Sequence, residues 1–167
     1  MALNASTTLP HDAATVTGVF TDEAFLKQVS ERVGGTLKSV TVDGDTTGPF
    51  TLTAVRTLPT SRLPDMVRKF VGDSLTVTQT ERWAAPLPDG SRVATVAMTV
   101  AGVPVTVDAE QRLVAAGTDT RVELTGTVSS SIPFMGSKIA SAAEPMIGKA
   151  LNLQATEARK WLETHQA

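Results

Sequence analysis

The sequence contains no cysteine and no tyrosine, and its only two histidines, His11 and His165, lie near opposite ends of the chain. Without cysteine there is no disulfide and no thiolate ligand for a metal. Two histidines so far apart leave little material for a histidine metal site or a serine–histidine–aspartate triad. Nucleophile-elbow, phosphate-loop and dinucleotide fingerprints are missing as well. We therefore expect no metal, no cofactor and no catalytic residue that a motif would identify.

An excess of charge of either sign is also missing. Lysine and arginine number 15, aspartate and glutamate 17, and the formal net charge is -2. Nucleic-acid binding needs a basic field, so we exclude it as a function. No apolar run follows Met1 and none is long enough to span a bilayer, so neither a secretory signal nor an integral membrane span is expected. These features favour a cytoplasmic location.

Internal repeats, low-complexity runs and linkers are missing too. A chain of 167 residues can bury a sizeable core. We predict a single domain over residues 1–167.

Apolar periodicity predicts the elements of this domain. Alternation with period two indicates strands, and apolar residues at steps of three and four indicate helices. The predicted order is a strand, two short helices, six strands and a long helix. The expected spans are 3–8 for the first strand, 10–20 and 22–33 for the helices, 37–43, 50–58, 74–85, 92–100, 103–113 and 121–128 for the other strands, and 131–165 for the long helix.

Local signals set several of the boundaries. Pro10 stands where a first helical residue would, which places His11 in a first turn. Asp22 can cap the second helix, and Gly34 with Gly35 can end it. Pro145 removes a backbone donor inside the long helix, which predicts a kink or a restart there.

The long helix is predicted to lie with an apolar side on the sheet and a polar side in water. The residues predicted to lie mostly on the wet side are Lys138, Lys149, Gln154, Glu157, Lys160 and Glu163. The six later strands alternate on one side with short turns, which is typical of an antiparallel meander with one buried face.

Several sequence segments resemble an uncharacterised actinobacterial family, domain of unknown function 2505. They are Arg56-Thr57-Leu58-Pro59, Leu63-Pro64, Arg68 to Asp73, Leu75 to Glu81, Ser131-Ile132-Pro133 and Lys138-Ile139. The element order also resembles the START/SRPBCC superfamily, whose α+β helix-grip fold wraps a curved seven-stranded antiparallel sheet around a long C-terminal helix. The resemblance implies a cavity between sheet and helix that takes a lipid- or polyketide-like ligand. Fold alone does not select among carriers, cyclases and interaction modules.

The composition of the inward faces also favours a cavity. Many inward strand positions hold alanine, glycine or valine, which leave room between sheet and helix. Methionine and the aromatic residues could instead fill that room as ordinary core. The residues we predict to line a ligand site are Leu52, Val77, Gln79, Glu81, Val96, Met98, Val107, Gln111, Leu124, Met146 and Ala150.

Glu81 has two open interpretations. It shares a strand face with Leu75 and Val77, so it could point inward as a polar end of an apolar pocket, paired with Arg56, Arg82 or Arg92 or with a ligand group. Alternatively, a strand twist or bulge puts Glu81 at the wet rim. The sequence favours the rim, because burying a carboxylate costs several kcal/mol.

The segment of residues 59–72 interrupts the strands with a short amphipathic helix. It could form a lid over the pocket or a small basic contact for an anionic surface. A solvated face is the simpler interpretation of its three cations.

The best functional interpretation is a binding domain for an apolar or amphipathic small molecule. A protein-interaction module with a filled core is the first alternative. A cofactor-free cyclase or hydrolase that uses Glu81 as acid or base is the second. The sequence does not identify the ligand or the oligomeric state.

Overall fold

The computed structural model describes residues 2–61, 65, 68–69, 72–130 and 136–165. Within these ranges, side chains are not described at positions 2, 3, 5, 103, 136, 139, 140, 142–144, 146–148, 150, 151 and 165.

The predicted order of elements is confirmed. It runs β1 (Ala2–Leu9), α1 (Ala13–Phe20), α2 (Glu23–Arg32), β2 (Thr36–Gly44), β3 (Phe50–Pro59), β4 (Ser74–Trp83), β5 (Arg92–Val100), β6 (Val103–Ala116), β7 (Asp119–Ser130) and α3 (Gly136–His165).

The seven strands form one antiparallel sheet in the order β1-β7-β6-β5-β4-β3-β2. Strands β2 to β7 are a meander, and β1 adds to the far edge beside β7. Gly102 and Gly117 make the turns on either side of β6 with φ of 74° and 65°, a conformation that glycine adopts without steric cost.

One face of the sheet is buried along β3 to β7, as the alternation predicted, whereas β2 is mostly exposed. On β3 the side chains of Phe50, Leu52, Ala54 and Arg56 are all buried. The opposite face is polar and carries exposed ion pairs, such as Arg121 with Glu123 at 2.9 Å. Every inward side chain therefore enters the space that the helices cover.

The first helix begins later than the sequence indicated. Asp12 is its N-cap and accepts a hydrogen bond from the backbone N–H of Thr15 at 2.7 Å. Pro10 and His11 precede the helix, so their predicted place in its first turn was wrong. The helix starts after Asp12 because the carboxylate of this residue accepts a hydrogen bond from a backbone N–H that has no partner within the helix. The predicted cap Asp22 is confirmed, and Gly34 follows the end of α2 with a φ of 83°.

The last helix, α3, packs along β1 and β7 and against α1 and α2. Its 30 residues correspond to about 45 Å at 1.5 Å per residue. The helix continues through Pro145 without the restart that was one of our two expectations. A bend at Pro145 stays a prediction.

The wet side of α3 was only partly predicted, because Gln154 and Glu157 are buried. Glu157 faces α2, where the side-chain amide of Gln28 donates to it at 3.5 Å and Arg32 lies at 3.9 Å. Lys160, one turn further along α3, lies at 3.8 Å. Sequence periodicity misses Glu157 because two of its polar partners, Gln28 and Arg32, come from another element.

Aromatic residues fill the interior where α1, α2 and the end of α3 meet. The rings of Phe20 and Phe25 stack at 6.3 Å, and Trp161 meets Phe25 edge-on at 5.7 Å. Leu9 and Leu113 complete this core from the sheet. The packed aromatic core therefore lies at one end of the sheet.

The segment between β3 and β4 is closed at its base by Thr60. Its backbone N–H donates to the carbonyl of Asp73 at 3.2 Å and its hydroxyl donates to that of Gly72 at 2.5 Å. Of the predicted lid, residues 62–64, 66–67 and 70–71 lie outside the described residues. The lid and the basic contact are therefore not tested.

Candidate functional site

Three polar side chains lie together on the buried face where β3 and β4 pair. They are Arg56, Gln79 and Glu81, which are 8%, 3% and 2% exposed. The register of β4 with β3 and β5 runs without a bulge past Glu81. Strict alternation therefore sends Glu81 inward with Val77 and Gln79, and the rim position that the sequence favoured was wrong.

Hydrogen bonds connect this group into a chain. Nη1 of Arg56 donates to Oε1 of Gln79 at 3.3 Å. The amide nitrogen of Gln79 donates to Oε2 of Glu81. The indole N–H of Trp83 donates to Oε1 of Glu81 at 3.0 Å. Each oxygen of the buried carboxylate thus accepts one hydrogen bond, which offsets part of its desolvation.

Burial dominates the electrostatics of both charged members. It raises the pKa of Glu81, and the hydrogen bonds from Trp83 and Gln79 and the charge of Arg56 oppose this rise. Burial also lowers the pKa of Arg56, while the charge of Glu81 raises it. Arg56 remains a cation at neutral pH, since a guanidinium does not lose its proton in proteins.

The other two arginines that could have paired with Glu81 lie elsewhere. Arg82 is exposed. Arg92 lies over the rings of Phe50 and Trp83 at 5.1 and 5.7 Å. It also donates to the carbonyls of Thr46, Gly48 and Ala84 at 2.6 to 3.2 Å. Arg92 therefore fastens the β2–β3 turn to the end of β4, and Arg56 is the arginine that faces Glu81.

The guanidinium of Arg56 is only partly satisfied. Nε and Nη2 are buried and have no hydrogen-bond partner among the residues that the structure describes. Leaving a buried donor unpaired costs about 1–3 kcal/mol, and more for a charged group. Such atoms in a native protein need an explanation, and a bound water, ion or ligand is one of those available.

A cavity lies next to this polar group. Its wall consists of Ser6, Thr7, Phe20, Gln79, Val96, Gln111, Val122, Leu124, Asn152, Gln154 and Ala155. Bounded by described atoms, it has a volume of about 20 Å³, room for about one water molecule. Ser6 and Asn152 are exposed whereas Gln79 is buried, so the cavity extends from the surface between β1 and α3 to the middle of the sheet.

The structure brings only part of the predicted site together. Gln79, Val96, Gln111 and Leu124 line the cavity. Leu52, Val77, Glu81 and Val107 are buried on the same inward face, and Met98 is half-buried there, but these five are not in the wall of the described cavity. Met146 and Ala150 lie on α3 at positions whose side chains are outside the described part.

The wall residues that we did not predict come from four elements, namely β1, α1, β7 and α3. Val122 was readable from the sequence, because it alternates with Leu124 on β7. Ala155 carries the small side chain expected of an inward helix position. Asn152 and Gln154 gave no signal, since a polar residue on a helix predicts solvent until its neighbours are known.

The described residues were searched for metal-binding clusters and for helices that could span a membrane. Among these residues, no three histidine, aspartate or glutamate side chains come together where they could hold a metal ion. None of the described helices has the length and apolarity needed to cross a membrane.

Comparison with known proteins gives one family match. Residues 4–162 match the family described as "Protein of unknown function (DUF2505)". No curated protein matches the chain.

Solved structures show the same fold at low sequence identity. TTHA0849 from Thermus thermophilus is 13% identical with a TM-score of 0.64, and the match covers 100% of both chains. Zhui aromatase/cyclase from Streptomyces sp. R1128 is 11% identical with a TM-score of 0.57, covering 100% of this chain and 98% of that one. Norcoclaurine synthase from Thalictrum flavum, in complex with dopamine and hydroxybenzaldehyde, is 14% identical with a TM-score of 0.56, covering 100% and 88%. These likenesses establish the predicted α+β helix-grip architecture, and at such identities they establish the fold alone.

Proposed function

Since this chain belongs to the DUF2505 family and has the helix-grip fold, we propose that it binds an apolar or amphipathic small molecule between its sheet and α3. The driving force is burial of apolar ligand surface, at roughly 25 cal/mol per Å². A few polar groups on the sheet orient the ligand.

The observation that carries this proposal is the composition of the cavity. Phe20, Val96 and Leu124 give it apolar walls, while Gln79 and Gln111 place two amides on its sheet side. Small-molecule sites characteristically combine apolar walls with a small number of convergent polar groups. Gln79 is, in addition, already hydrogen-bonded to the buried charges of Arg56 and Glu81.

One protein of the same fold has been solved with small molecules bound. The norcoclaurine synthase structure is a complex with dopamine and hydroxybenzaldehyde, two small aromatic molecules with polar substituents. The comparison favours a ligand of this general character for a helix-grip protein.

The size of the described cavity sets a condition on binding. About 20 Å³ does not accommodate such a molecule. Ligand entry therefore requires α3 to move relative to β1 and β7. Pro145 weakens the hydrogen bonding of α3 in its first half, which favours movement of that half.

The small volume also favours a second candidate, an interaction module with a filled core. In that case the interior serves stability alone, and function resides on the surface. The two candidates differ in one respect that can be measured, namely whether the interior accepts an apolar probe.

The enzymatic alternative is weaker on this geometry. Acid–base chemistry by Glu81 needs a perturbed pKa and contact with the substrate. Burial raises the pKa of Glu81, but this residue is not in the wall of the cavity. Its two oxygens are also occupied by Trp83 and Gln79.

An apolar fluorescent probe, N-phenyl-1-naphthylamine, tests the proposal. Ala155 is buried in the cavity wall, and its neighbour Thr156 is exposed. Ala155→Leu fills the cavity from the helix side, and Thr156→Leu is the matched control. Overpacking of this kind costs about 1–3 kcal/mol, which a domain of ordinary stability tolerates.

We expect the wild type and Thr156→Leu to enhance probe fluorescence to the same extent. We expect Ala155→Leu, folded by circular dichroism, to lose most of the enhancement. A wild type that gives no enhancement would favour the interaction module instead. Equal enhancement in all three proteins would place the probe outside the cavity and contradict the proposal.

A further inference from the structure

The unpaired atoms of Arg56 have a defined geometry. Nη1 is occupied by Gln79, whereas Nε and Nη2 have no partner among the described residues. These two nitrogens share one edge of the planar guanidinium, so their N–H bonds point the same way. Such an edge is the fork that holds two oxygens of one planar acceptor in a bidentate contact.

The guanidinium of Arg56 is one side chain away from the cavity. Arg56 is 8% exposed and lies on the inward face of β3 with Leu52 and Ala54. Oε1 of Gln79, which is 3.3 Å from Nη1 of Arg56, belongs to a wall residue of the cavity. The free edge is on the side of the guanidinium opposite Nη1, so only a ligand that extends from the cavity past Gln79 can contact it.

The local charge limits the kind of acceptor. Arg56 is the one cation in this buried group, and Glu81 is the acidic member. A carboxylate is held by two parallel donors. It carries one negative charge, so the carboxylate of Glu81 repels it less than it repels a group with two charges. A phosphate monoester carries close to two charges at neutral pH and needs further donors or cations. The site therefore fits a carboxylate better than a phosphate.

We propose that the ligand is an amphipathic carboxylic acid whose carboxylate binds Nε and Nη2 of Arg56 and whose apolar part occupies the cavity lined by Val96, Leu124 and Ala155. This inference rests on the proposed function and names its ligand class. It also assigns a role to the polar chain on β4: Gln79 holds the guanidinium in place, and Glu81 fixes Gln79.

Three molecules with the same apolar chain test the head group. Decanoate, 1-decanol and decyl phosphate are each used, below their micelle concentrations, to displace N-phenyl-1-naphthylamine from the protein. For the wild type we expect half-displacement by decanoate at about one-tenth of the 1-decanol concentration, since the bidentate ionic contact is made by the acid alone. Decyl phosphate is expected to be weaker than decanoate.

Variants of Arg56 assign the effect to this side chain. Arg56→Met removes the guanidinium, Arg56→Lys keeps a charge without the fork, and Arg112→Met removes an exposed arginine of the outer face as a control. We expect Arg56→Met to weaken decanoate about tenfold and to leave 1-decanol within about twofold, with Arg56→Lys between the wild type and Arg56→Met. Arg112→Met is expected to change neither.

The outcomes separate this inference from the proposed function. Probe binding with equal displacement by decanoate and 1-decanol would leave ligand binding standing and overturn the carboxylate assignment. Tighter displacement by decyl phosphate would overturn it in favour of a phosphate. A wild type that does not bind the probe would overturn both proposals. The wild-type series alone decides among these results, so the conclusion does not depend on the folding of an Arg56 variant.

Discussion

At the scale of single residues, the inward face of the sheet holds two opposite charges that water barely reaches. Arg56 and Glu81 are linked through Gln79 rather than in direct contact. A buried carboxylate and guanidinium held apart by an amide lose more hydration than they recover by attraction. Replacing such a buried pair by apolar residues is often neutral or stabilising. Stability therefore does not explain why Arg56 and Glu81 are there, and this favours a functional role for them.

The titration of Glu81 gives a prediction about stability and pH. Burial raises the pKa of Glu81 above the ordinary 4.5. At pH values between 4.5 and this raised pKa, the native chain therefore binds more protons than the unfolded chain. The free energy of unfolding therefore falls as pH rises from about 4.5 through the raised pKa of Glu81. The contribution of protonated Glu81 to the free energy of unfolding is fully present below pH 4.5. Above the raised pKa it is lost, and the loss amounts to about 1.4 kcal/mol for each unit by which the pKa is raised.

Urea unfolding of the wild type and Glu81→Gln between pH 4 and pH 9 measures this effect. The wild type should lose stability relative to Glu81→Gln as pH rises, because glutamine does not titrate. Glu110→Gln, on the outer face with a side chain that is 40% exposed, should show no comparable trend. A difference between wild type and Glu81→Gln that stays constant with pH would mean that burial does not raise the pKa of Glu81.

At the scale of elements, the pairing of β6 with β7 includes a close backbone approach at Gly126. A Cβ atom at Gly126 of β7 would lie 2.5 Å from the carbonyl oxygen of Asp108 and 2.7 Å from Cα of Ala109 on β6. Both are backbone atoms, which cannot move aside without disturbing the pairing of β6 with β7.

Gly126→Ala should therefore destabilise the protein, by about 1–3 kcal/mol as expected for steric strain in a packed interior. Gly18, inside α1, is the matched control, because a Cβ there has nothing within 4 Å. Gly18→Ala should stabilise by about 0.5–1 kcal/mol through helix propensity. Urea denaturation measures both changes, and a neutral Gly126→Ala would show that the two strands are not held at this separation.

Sequence periodicity predicted the helices and strands well, but it did not predict which side chains are buried where two elements meet. The strands and α2 were readable because alternation, Asp22 and Gly34 are local signals. The buried positions of Gln154 and Glu157 on α3 were not readable. For Glu157 the partners Gln28 and Arg32 come from α2, and Gln154 borders a cavity that forms only when sheet and helix meet. Contacts between elements distant in sequence carry that information, and a single sequence does not contain them.

In the candidate site, the position of Glu81 was predicted wrongly for an energetic reason. Alternation along β4 already placed Gln79 and Glu81 on the face of Val77. We preferred the rim for Glu81 because an unpaired buried carboxylate is costly. The hydrogen bonds from Trp83 and Gln79 reduce that cost. The donor Trp83 was visible on the same strand face, so the cost of burial was overestimated rather than unknowable.

At the scale of the whole molecule, the interior divides into a packed part and a polar part. Aromatic side chains fill the space where α1, α2 and the end of α3 meet the sheet. The polar chain of Arg56, Gln79 and Glu81 lies on the sheet next to that core, which it contacts through the hydrogen bond from Trp83 to Glu81. Under the proposed function, the packed part supplies stability and the polar part orients the ligand, which enters after a small movement of α3.

Native mass spectrometry can show whether the protein holds an amphipathic acid, both as purified from its own host and after incubation with decanoate. We expect one additional noncovalent mass per chain, belonging to a molecule that extracts into organic solvent and carries an acidic group, and we expect its loss in Ala155→Leu. The mass of the chain alone, both as purified and after incubation with decanoate, would contradict the proposal that this protein binds an amphipathic acid between its sheet and α3.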